Sequence, residues 1–184
     1  QFYFGAVDFR PATDYPELFL RRYLTFSPGQ VFSYAALGET QSQLFDSDRF
    51  RIVQITPDTG TAGTEIPVEI NLTPQSRRSL RPGIGYGTDT GARFSLLYTD
   101  KNIWRRGHKF ETNLIIAQFK QSVNASYILP HYQNVSSLTA FRGGLEREET
   151  ETYLSQKVFT EVEIVFGLSR RNVLSVYARL ERED

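Results

Sequence analysis

Three glycines at every second position constrain this chain more than any other feature. Gly83, Gly85 and Gly87 fall within residues 81–98, and Gly91 follows. In an extended segment that spacing puts all three on one side and leaves the side bare. The same stretch divides the sequence. Before it, strand and helix signals mix. After it, apolar and polar residues alternate almost without a break, and no helix signal returns.

The part before the glycines reads β-α-α-β-β. Residues 2–9 alternate, with Tyr3, Val7 and Phe9 on one face, and Arg10-Pro11 stops the strand. Asp14 and Glu17 have the spacing of a capping box, and Pro16 suits a first helical turn. Tyr15, Phe19, Tyr23 and Phe26 then fall near one helical face. A second helix is expected from Ser33, with Tyr34, Leu37, Gln41 and Leu44 inward, ending at Asp46-Ser47-Asp48. Residues 50–56 read as a strand, and Pro57-Asp58-Thr59-Gly60 opens a turn. Ile66, Val68, Ile70 and Leu72 alternate with polar or small residues, the mark of a half-buried strand. The expectation is a small α+β module over residues 1–76, with both helices on one face of a three-stranded sheet. An edge of that sheet, along Arg51, Ile52, Val53, Gln54 and Ile55, would be open to a partner's strand.

Residues 77–184 read as about seven strands, each near the length that crosses a membrane at a tilt. Ala92, Phe94, Leu96 and Tyr98 form one alternating series; Val158, Val162, Ile164 and Phe166 form another. Residues 108–120 and 135–147 are strand-like, with a turn expected at residues 120–122 and another at residues 100–107. Further turns fall at residues 88–91, 131–134, 148–153 and 169–172. Alternation alone fits two architectures. In a soluble sandwich the apolar faces make a dry core; in a membrane barrel they meet lipid and the polar faces line a lumen. Tyr98, Trp104, Tyr127 and Tyr132 near strand ends favour the barrel, where they would sit at the membrane interface. Seven strands are fewer than a bacterial barrel needs, so further strands are expected beyond Asp184.

Composition excludes several classes. Cysteine is absent, which removes disulfides, thiolate metal sites and a cysteine nucleophile. The formal net charge is zero, so nothing points to nucleic acid. Aromatic residues reach 14%, in keeping with β structure. Methionine is absent and no signal peptide is present, so Gln1 reads as lying within a longer natural chain.

The run Gly83-Ile84-Gly85-Tyr86-Gly87-Thr88-Asp89-Thr90-Gly91-Ala92-Arg93 resembles the first barrel hairpin of the POTRA-barrel outer-membrane assembly superfamily. Leu44-Phe45 with Phe50-Arg51-Ile52-Val53, and the run from Ile66 to Pro74, resemble the POTRA domain that precedes such barrels. Within the superfamily, Asn102-Ile103-Trp104-Arg105-Arg106-Gly107-His108, Tyr127-Ile128-Leu129-Pro130, Gly143-Gly144 and Arg147 with Thr152 resemble the branch of TamA, the translocation and assembly module subunit. The resemblance implies a periplasmic POTRA domain feeding an outer-membrane barrel of about sixteen strands. It implies a non-enzymatic assembly or translocation factor without cofactors. Its partners would be outer-membrane lipid, client β-barrel or autotransporter proteins, and a periplasmic or inner-membrane-anchored TamB-like protein. The first strand (Gly83, Ile84, Gly85, Tyr86 and Gly87) would form one side of a lateral gate. A two-partner-secretion pore and a soluble β-rich binding domain are the alternatives.

Chemical readings of single motifs are weak. The glycines lack the spacing of a nucleotide loop, and no helix follows them. His108 and His131 have no neighbour at metal-ligand spacing. Glu161 and Glu163 share a strand face, as a polar lumen would produce. Arg105-Arg106 and Arg170-Arg171 sit at expected turns, either solvated or on lipid headgroups. Asn71, Asn124 and Asn134 match a glycosylation sequon by chance in this setting.

Overall fold

The computed structural model describes residues 1–10, 14–60, 63–88, 91–149, 154–168 and 172–184. It divides into two compact units, Gln1–Arg77 and Arg78–Asp184. The first contains β1 (Tyr3–Arg10), α1 (Glu17–Arg21), α2 (Tyr34–Asp46), β2 (Phe50–Pro57) and β3 (Glu65–Pro74). The strand order is β1-β3-β2, with β1 parallel and β2 antiparallel to the central β3. The parallel pair needs a crossover, and the two helices lie within it.

The period-2 pattern of β3 has a simple consequence. Ile66, Val68, Ile70 and Leu72 are all buried, and aromatic rings of the helical segment pack on the neighbouring strands. Phe4 stacks on Phe26 at 3.9 Å, and Tyr15 meets Phe50 edge-on. The Arg49 guanidinium lies 4.8 Å from the Phe19 ring centre. Burial pushes the Tyr15 hydroxyl above its usual range, and Arg49 opposes that shift. The buried Thr40 hydroxyl sits 3.0 Å from that of Thr25, which reaches the Ala36 carbonyl oxygen at 2.8 Å.

Several local expectations are corrected. Phe4, not Tyr3, is the deeply buried residue of β1, because the register shifts between Phe4 and Val7. A bulge there re-aims the chain, so simple alternation fails. The capping box at Asp14 and Glu17 does not form. Pro16 is the N-cap residue, extended at ψ 144°, without a side-chain cap, and α1 is five residues long. Tyr15, Phe19, Tyr23 and Phe26 are nevertheless all buried. On α2 the buried residues are Leu37, Thr40 and Leu44; Tyr34 and Gln41 are exposed.

The second unit contains β4 (Arg78–Gly87), β5 (Gly91–Ile103), β6 (His108–Ala117), β7 (Lys120–Pro130), β8 (Leu138–Glu149), β9 (Leu154–Gly167) and β10 (Val173–Glu183). They form one antiparallel sheet in sequence order. The turn expected at residues 120–122 is strand: β7 already starts at Lys120, and the link from β6 is Gln118-Phe119. β5 runs on to Ile103, so its turn is shorter than residues 100–107, and β8 starts at Leu138 rather than at Val135. The turns expected at residues 88–91, 148–153 and 169–172 lie partly outside the described residues, as do Arg170-Arg171 and Thr152. No helix of the described residues is long and apolar enough to cross a membrane, which says nothing of a β-barrel.

Candidate functional site: a glycine-bare edge strand

Register assigns every side chain of the large sheet to a face. Ile84 lies opposite Phe94, which lies opposite Ile116; Leu96 faces Leu114, then Val123, Leu145 and Val158 in turn. Val162, Ile164 and Phe166 of β9 face Ala178, Val176 and Leu174 of β10. One face is therefore apolar across all seven strands. Charged residues on that face stand at its ends: Arg78 and Asp100 at one, Arg147, Glu149 and Arg182 at the other. Along β9 the apolar run from residue 158 to 166 is about 26 Å at the usual rise per residue.

This face is not covered. Ile84 is 92% exposed, Leu145 54% and Val158 52%. A contiguous exposed apolar surface of this extent marks a partner or a membrane.

The opposite face is polar and cross-linked by charge. Arg142 of β8 reaches Glu161 at 2.8 Å and Glu163 at 2.7 Å on β9. Arg179 of β10 binds Glu181 at 2.6 Å and Glu161 at 3.6 Å, and Lys157 binds Glu181 at 2.5 Å. Lys120 joins β7 to Glu146 and Glu148 of β8. Glu161 and Glu163, which in sequence show no network, are thus paired across strands. Phe159 lies over Gly144, where an added Cβ would meet its ring at 2.6 Å, and the Arg179 guanidinium lies 4.4 Å from that ring's centre. The only sequence signal for this was the bulky residue opposite a glycine, visible once the register is known.

Against that background β4 stands out. It is an edge strand, bonded to β5 alone among the described strands. Gly83 pairs with Ser95, Gly85 with Arg93 and Gly87 with Gly91, so the bare side belongs to the polar face. A Cβ on Gly83 would meet the Ser95 hydroxyl at 2.6 Å, whereas one on Gly85 would have Arg93 no nearer than 3.7 Å. The other side carries Ile84 and Tyr86, both strongly exposed. At the base of the strand, Arg78 binds the buried Asp100 at 3.0 Å. The five residues expected to form the gate strand, Gly83 to Gly87, thus all lie on β4.

The other expected residues separate. Arg51, Ile52, Val53, Gln54 and Ile55 lie on β2, which is an edge of the small sheet. The Asp58 amide donates to the Pro67 carbonyl. By ladder alternation, Gln54 and Thr56 then point their backbone groups at β3, and Val53 and Ile55 point theirs away. The outward Val53 carbonyl accepts a bond from the Gln41 amide at 3.0 Å. Tyr98 sits on the apolar face, 6.4 Å from Phe110 between ring centres. Trp104 lies in the β5–β6 turn, and the Tyr132 hydroxyl donates to the Arg106 carbonyl at 2.9 Å. His108 contacts the Tyr127 hydroxyl and His131 that of Thr139. Among the described residues no group of acidic or histidine side chains could hold a metal ion.

No family model matches the chain. Over 99% of its length it is similar to the crystal structure of BamA from Haemophilus ducreyi lacking POTRA domains 1-3, with a TM-score of 0.79 and 17% identity. The chain shares its fold. It is also similar to CdiB from Acinetobacter baumannii (TM-score 0.61, 17% identity, 99% of this chain) and CdiB from Escherichia coli (0.68, 13%, 100%). It spans 35%, 37% and 38% of those three chains, respectively.

Proposed function

We propose that this chain is a POTRA domain followed by the first seven strands of an outer-membrane barrel, and that the barrel inserts or secretes client proteins. The observation that carries this reading is the uncovered apolar face, backed by a polar face laced with ion pairs. A soluble sandwich would cover the first face with a second layer. A barrel in lipid leaves it bare and turns the charged face to a lumen.

In this reading the small unit is periplasmic and β4 is the gate. The mechanism is strand templating rather than bond chemistry. An edge whose bare side gives its neighbour little to pack against holds that neighbour mainly through main-chain bonds, and a client strand competes for the same bonds. Clients would be other β-barrel proteins or autotransporters. The outward groups of Ile55 on β2, beyond the Val53 carbonyl that Gln41 already holds, are where a periplasmic or inner-membrane-anchored partner, TamB-like in the TamA branch, would add a strand.

The test is a disulfide lock. A cysteine at Ile84, paired with one on the last strand of the full-length barrel, is expected to abolish client insertion when oxidised and to restore it when reduced. Full insertion activity in the completely locked protein overturns the gate. Continued export of a secreted client through the locked barrel would instead favour a lumen pore of the two-partner-secretion kind.

A further inference from the structure

The turn between β5 and β6 breaks the rules of local turn chemistry. Trp104 and Arg105 both have positive φ, 52° and 58°, and the Arg106 amide bonds the Ile103 carbonyl at 3.1 Å. Two successive left-handed residues are what a type I′ hairpin turn requires, and Asn-Gly is the usual occupant. A bulky aromatic in that conformation is an outlier. Such outliers persist where their surroundings over-determine them, and they cluster at functional places.

The surroundings here do so. The buried Asp100 accepts from the Asn102 amide, and the buried Asn102 side chain accepts from the Gly107 amide at 2.7 Å. Tyr132 holds the Arg106 carbonyl from the next loop. The outcome is an indole that is 72% exposed, set edge-on against Tyr127 at the end of the apolar face, with two exposed arginines following it in the chain.

We propose that this turn is a docking point for an anionic phospholipid. Trp104 lies at the boundary between headgroups and acyl chains, and Arg105 and Arg106 hold the headgroup phosphate. An indole sits well at that depth because one end is apolar and the other is a hydrogen-bond donor. Guanidinium groups match a phosphate in charge and in fork geometry. The turn continues the apolar face at the end where β4 begins, so one lipid would meet the belt and the arginines together. The inference rests on the membrane reading above.

The experiment uses the full-length protein in phosphatidylcholine vesicles, with and without phosphatidylglycerol. The fluorescence of Trp104 is taken as the difference from a Trp104→Phe variant. Lipids brominated near the headgroup are expected to quench it, and phosphatidylglycerol is expected to shift it. Arg105→Gln and Arg106→Gln should each weaken the phosphatidylglycerol titration about fivefold. A Trp104→Asn/Arg105→Gly variant, which restores the favoured turn residues, should fold at least as well and lose the retained lipid in native mass spectrometry. An unaltered titration in both arginine variants, or full lipid retention in the double variant, overturns the site. So does an equal shift of Trp104 by inorganic phosphate in detergent, which would mark a free-anion site. A Leu114→Trp reporter, read with lipids brominated along the acyl chain, separates the two levels. Quenching at 114 but not at 104 sinks the turn proposal alone; quenching at neither sinks the membrane reading with it.

Discussion

The two sheets of this chain alternate apolar and polar residues with the same period and end in opposite surroundings. In β3 the apolar positions Ile66, Val68, Ile70 and Leu72 are nearly inaccessible, at 7%, 1%, 0% and 1% exposure. In β9 the equivalent series from Val158 to Phe166 stands open along one whole side. The strands do not differ in kind. What differs is the cover: the first sheet has Tyr15, Phe19, Tyr23 and Phe26 to lay over it, and the second is followed by strand after strand with no helix among the described residues. Alternation therefore states that a strand has two faces and leaves open what each face meets.

Mutations that respond to the cover sharpen this contrast. The largest effect is expected in the small unit. Phe19→Ala empties a fully buried ring site and should cost about 3–5 kcal/mol in the denaturant unfolding of that unit. An unshifted midpoint would mean that the aromatic cover is not its core. Next comes Val162→Arg on the open face of the large sheet, expected to cost about 2–4 kcal/mol when the protein folds into vesicles. Were that face in water, the change would fall within about 0.5 kcal/mol, and the membrane reading would be lost.

The smallest effect concerns β4. Gly85→Ala has room for its methyl group beside Arg93 and should strengthen the strand by about 0.5–1 kcal/mol, seen as slower amide exchange along β4. Gly83→Ala should gain less, because the Ser95 hydroxyl must turn aside. Equal or faster exchange in Gly85→Ala would show that bareness is not what keeps the edge loose.

Much of this architecture is legible in the sequence, and the exceptions have physical causes. The alternation at Ile66 to Leu72 and the strand series after Gly91 are strong because each strand has one consistent face. The β6–β7 link is hidden because Gln118-Phe119 carries none of the residues that punctuate turns. The inward face of β1 is misread because a bulge lies within it. Gly5 gives a trace of this: a Cβ there would sit 3.1 Å from the Ile66 and Pro67 backbone. The apparent capping box at Asp14 fails because Pro16 stays extended. For the site, the bare strand can be read directly, whereas the Arg142–Glu161–Glu163 cluster cannot, since it requires the β8–β9 register. The turn at Trp104-Arg105 falls within the expected residues 100–107, but its left-handed backbone is not legible, because local preference rejects these residues there.

The ion pairs across β9 and β10 also act as a vernier. Glu161 lies opposite Arg179, and Glu181 opposite Phe159, with Lys157 alongside. Slide β10 by one residue and its charges pass to the apolar side. Slide it by two in one direction and Glu181 comes to rest against Glu161. A strand pairing with β9 therefore loses its opposed charges on a one-residue slip and meets like charge on a two-residue slip in that direction, so the stagger between these neighbours is written into their side chains.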